Sequence, residues 1–139
     1  MEINWLGLAS ASATFLGVWW GHVSVRKIER EVERVWIPVT LVLLFGIGLV
    51  TASFLTPNLI LSTICGILAV TLFWDALELG IRQPNRIKHG YAPANPKNPR
   101  HVKILAAYPN ATTIDWLNRD PRGYPYTVDE LNAIQENRK

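Results

Sequence analysis

FWDALELGIRQPNRIKHGYAPANPKNP, residues 73–99, is the seam where the chain turns from apolar to polar. Upstream of Asp75, every residue back to Val35 is uncharged. Downstream come Arg, Lys and Pro, then a tail too polar to enter a bilayer. Crossing a hydrocarbon core takes about twenty apolar residues, so the uncharged stretch holds two crossings. The seam marks where the membrane stops and which side the tail faces.

Working upstream, residues 59–80 are expected as the third of three spans and residues 37–55 as the second. Thr56-Pro57-Asn58 is too short to join them as anything but an antiparallel hairpin. The third span carries small residues at Ser62, Gly66 and Ala69, where another helix can approach closely in lipid. Residues 3–23 form the first span, with Trp5 at one end and Trp19 and Trp20 at the other, at headgroup level. Every fourth residue along one face of it is small: Ala9, Ala13, Gly17 and Gly21. That stripe packs either on the chain's own second or third helix or on a second copy. No basic region precedes the span and no small-x-small cleavage site follows it, so it is expected as a membrane helix, not a removed signal.

Between the first two spans, residues 24–35 place Val25, Ile28, Val32 and Val35 on one stripe amid charged neighbours. This is an amphipathic helix on the cytoplasmic membrane surface, continuing the first span or bent along the interface. Trp36 and Pro38 restart the chain into the bilayer, with Pro in a first turn, where no donor is lost. Arg26, Lys27, Arg30 and Arg34 lie on this side, as do Arg82, Arg86 and Lys88, and the opposite side has no Lys or Arg. The positive-inside rule then places the N-terminus outside and the C-terminal tail in the cytoplasm of a bacterial inner membrane.

Downstream of residues 1–83, residues 84–101 are a basic linker in which Pro93, Pro96 and Pro99 recur every third residue, expected as extended and polyproline-like. Residues 102–139 form a cytoplasmic tail with short helices. Its first part, 102–108, is strand or helix; Thr112 and Thr113 open a helix, and residues 120–123 are a turn. Thr127-Val128-Asp129-Glu130 is a capping box opening a last helix with Val128, Leu131 and Ile134 on one side. So few residues enclose no sizeable core of their own. Yet Tyr108, Trp116, Leu117, Tyr124, Tyr126 and Leu131 are too apolar for a free tail, and are expected to dock on a partner. The fold class is all-α integral membrane: three spans, a cytoplasmic amphipathic helix, and an extended-then-helical tail.

Several residues around the seam carry a resemblance. They are His22 at the inner end of span one, Trp36 with Pro38, Glu78 with Leu79, and the run Arg86, Gly90, Tyr91, Pro93, Asn95, Pro96 and Lys97. In these, residues 3–98 resemble a family of small bacterial membrane proteins of unknown function. The resemblance implies a three-helix inner-membrane protein and supplies no reaction. The chain departs from that pattern by continuing about forty residues past Asn-Pro-Lys.

Composition narrows the chemistry. Ten of the fourteen Lys and Arg fall in residues 82–139, and basic residues flanking apolar spans reflect topology, not nucleic-acid binding. A lone cysteine, Cys65, excludes an internal disulfide and sits mid-span as small apolar filler. No residue pattern marks an enzyme or a cofactor site. The expected topology brings His22, Asp75 and Glu78 to similar depth, where they could bind a divalent metal or relay protons. The competing reading makes them interfacial residues, with Glu78 pairing Arg82 one turn on. His89 and His101 lie in the basic linker and are expected as solvated or headgroup-facing. The function expected is an accessory or scaffold subunit that docks to other membrane subunits by its small-residue helix faces and its tail. The alternative is a small homo-oligomeric transporter or proton- or metal-handling protein using His22, Asp75 and Glu78.

Overall fold

The structure is a computed structural model that describes residues 3–115 and 127–136. All regular structure among those residues is helical. The chain forms two compact units, Met1–Glu29 with Arg34–Gly80, and Arg30–Glu33 with Ile81–Lys139.

The first unit is built on α1 (Trp5–Glu31), α2 (Trp36–Leu55) and α3 (Leu59–Leu77). A short turn folds α2 back on α3. Asn58 starts α3 by accepting the Leu61 amide on its side chain at 3.1 Å, and the Thr56 amide closes α2 on the Ala52 carbonyl. A side-chain acceptor at the N-cap satisfies an amide that the first helical turn leaves without a partner. Beside the turn, Ser53 Oγ donates to the Ser62 carbonyl at 2.8 Å and Ser62 Oγ donates to the Ser53 carbonyl at 2.7 Å. The pair holds the two helices at close range, and Gly66 permits it: a Cβ there would come within 3.2 Å of Ser53 Oγ. Further along, Gly46 receives the ring of Phe73.

α1 settles one open alternative, since the helix continues from the expected first span as far as Glu31. Its side chains pack in steps of four. Ala13 is buried, Gly17 lies against Thr71 and Leu68, and Gly21 lies against Asp75. Val25 comes next, at 1% exposure, in a cluster with Val35 and Leu79 that Ile28 and Val39 flank.

Two helical runs, α2 and residues Leu59–Lys88, are long and apolar enough to cross a membrane. α1, expected as the first span, is not among them, because Ser10, Ser12, Thr14, His22 and three glycines dilute its apolar content. Little of the two runs is covered within the chain: Leu41, Leu44, Phe45, Phe54, Leu55 and Val70 are all exposed. A core helix of a water-soluble fold would bury such side chains.

The third apolar helix ends as α-helix at Leu77, and a π-helical turn follows over Glu78–Arg82, so the expected boundary at 80 falls inside that turn.

The second unit differs most from expectation. Residues 84–101 are not extended throughout. Pro84 lies in α4 (Gln83–Lys88), which continues the helical run directly from the π-helical turn, and Pro99 is the first residue of α5 (Pro99–Ala107), a position where a missing amide hydrogen costs nothing. Residues 102–107, left between strand and helix, belong to α5. The unit also has a small core of its own, Ile87, Ala94, Ile104 and Ala111, with Ala92 and Leu105 against it. Thr112 opens no helix within the described residues. Its Oγ1 accepts the Ile114 amide two residues on, a local turn that competes with a helix cap. The capping box does form. The Glu130 amide donates to Thr127 Oγ1 at 3.4 Å and the Thr127 amide donates to Glu130 Oε2 at 2.8 Å, opening α6 (Val128–Glu136). The turn expected at 120–123 lies outside the described residues.

The serine pair is open to test by unfolding the purified protein in detergent. Ser53→Ala with Ser62→Ala should lower stability by about 1–2 kcal/mol, the scale of interhelical hydrogen bonds in lipid. An unchanged unfolding midpoint in the double variant would show that the pair does not hold the hairpin.

Candidate functional site

Three ionisable side chains converge where α1 meets the end of α3. Asp75 occupies the last turns of α3, and Glu78 opens the π-helical turn. From α1, Gly21 leaves room for the Asp75 carboxylate: a Cβ at residue 21 would stand 2.5 Å from both carboxylate oxygens. The next residue, His22, places Nδ1 3.7 Å from Glu78 Oε2. The pair is asymmetric, with Glu78 almost fully buried and His22 at 61% side-chain exposure. Asp75 lies within electrostatic range of both. The arrangement offers an acidic pair in the helix interface with an imidazole at its rim. Among the described residues no three His, Cys, Asp or Glu side chains are set as a metal-binding group.

Glu29, one of the charged neighbours of the Val25, Ile28, Val32 and Val35 stripe, is a buried carboxylate, only 2% exposed. The signal was there. Ala9, Ala13, Gly17, Gly21, Val25 and Glu29 form one four-residue series, so Glu29 continues the packing stripe.

The Asn-Pro-Lys run builds a second constellation inside the second unit. Asn95 is buried and its Oδ1 accepts the Lys97 amide at 2.8 Å. The Asn95 amide in turn donates to His101 Nδ1 at 2.9 Å. Asn98 caps α5 by accepting the Arg100 amide at 3.0 Å. The Ala94 amide donates to the Thr112 carbonyl at 2.8 Å, and Gly90, at φ 77°, packs its α-carbon on the Asn110 carbonyl, where no side chain would fit. The run is therefore a folded corner held by two Asx caps and a histidine. His101, expected as solvated or headgroup-facing, is instead wholly buried, and because Nδ1 accepts, its ring proton sits on Nε2. His89 remains exposed, stacked on Tyr91 with 5.9 Å between centroids.

Ser62, Gly66 and Ala69 all lie on α3, with Ala69 fully buried, and Ala9 is half-buried on α1. Of the expected docking residues, Tyr108 is 42% exposed and lies under Lys88, whose Nζ is 5.2 Å from the ring centroid. Tyr108 also lines a groove of about 710 Å³ with Val102, Leu105, Pro109 and Ile134. Trp116, Leu117, Tyr124 and Tyr126 lie outside the described residues, and the side chain of Leu131 is likewise outside them.

All-helical among the described residues, with two helices long and apolar enough to cross a bilayer: this is the class the fold defines. Residues 4–98 match the domain of unknown function DUF4491, and the chain belongs to that family. The match takes in His22, Asp75, Glu78 and the Asn-Pro-Lys run itself, while Arg100, His101, Asn110 and Thr112, which complete the corner, lie beyond it. No curated protein and no solved structure matches the chain.

Two substitutions separate the constellations. Gly21→Ala should destabilise the first unit, and Gly21→Ala with Asp75→Ala should recover most of the loss; a double variant as unstable as the single one would place the strain elsewhere. His101→Ala strands the buried Asn95 amide, a loss of about 1–3 kcal/mol. It should appear as faster proteolysis within residues 82–115 while α2 and α3 stay protected.

Proposed function

We propose that the protein is a three-span accessory or scaffold subunit of a larger membrane complex, in a bacterial inner membrane with the N-terminus outside and the tail in the cytoplasm. It performs no catalysis of its own. The observation that supports this reading is the open apolar surface of α2 and α3, including Leu41, Leu44, Phe45 and Val70. Lipid covers part of such a surface, and the helices of partner subunits cover the rest. The orientation rests on the cations at the C-terminal end of α1 and after α3, set against a turn at residues 56–58 that has none. In the second unit, Tyr108 and the groove beside it supply a contact surface for the same partner.

One observation favours a second reading, a small oligomeric proton- or metal-handling protein. His22, Asp75 and Glu78 converge from two helices, and ionisable groups inside spans are commonly functional. Three helices alone enclose no pathway, so this reading needs a homo-oligomer.

Solubilisation in mild detergent and affinity capture from native membranes decides between them. A stoichiometric larger partner supports the subunit reading; a homo-oligomer with bound metal supports the second. Tyr108→Ala should reduce recovery of the partner at unchanged membrane levels, while Asp75→Asn and Glu78→Gln should leave it intact. In a Cys65→Ser background, Asn58→Cys should label from outside intact cells and Lys97→Cys only after permeabilisation. The reverse pattern at either position overturns the orientation.

A further inference from the structure

We draw no further inference here: the strongest candidate, the apolar groove of the second unit lined by Val102, Leu105, Tyr108, Pro109 and Ile134, belongs to the contact surface already described, and nothing in the structure shows what covers it.

Discussion

The first unit depends on close approach of helix backbones at positions that lack side-chain bulk. Gly17 against Thr71, Gly21 against Asp75, Gly46 against Phe73 and Gly66 against Ser53 each leave the space that a Cβ would fill. In water, burying large apolar side chains drives helices together; in lipid that drive is absent, and fit and interhelical hydrogen bonds take its place. The Ser53–Ser62 pair supplies such bonds at the hairpin end. The exposed Leu and Phe side chains of α2 and α3 contribute little to this contact and are free to face lipid or a neighbouring subunit.

The same close packing makes the end of α3 electrostatically demanding. Glu78 is almost fully buried beside His22, and Glu29 is buried on α1. A buried carboxylate is costly unless charge or hydrogen bonds accompany it. The imidazole of His22, 3.7 Å away at Nδ1, supplies such a partner for Glu78. The π-helical turn at Glu78–Arg82 widens the helix at this point, and such turns are frequent at functional positions.

The second unit shows how a proline-rich stretch becomes a folded body. Pro99 starts a helix, Asn95 and Asn98 use their side chains on backbone amides, and His101 closes the corner from within. The result is a core of only a few residues, with hydrogen bonds from buried Asn95, Asn98 and His101 around it. Such a unit gains definition from hydrogen bonds more than from apolar area, which is small for so short a chain.

The sequence alone determined what depends on length and local chemistry. Thirty-nine uncharged residues, 36–74, broken by Thr56-Pro57-Asn58, can only be a helical hairpin where water is absent, because each backbone group must find its partner within its own helix. The Thr127–Glu130 box was equally legible, since both partners lie within one turn. Tertiary structure alone decided which groups meet across distance. Glu29 looked solvated until the packing stripe carried it inward, and His101 looked exposed until Asn95 turned its amide toward the ring. Thr112 could cap a helix or close a short turn, and the bond from the Ala94 amide to its carbonyl accompanies the second choice. Local preferences leave these alternatives nearly balanced, and contacts between residues far apart in sequence tip them.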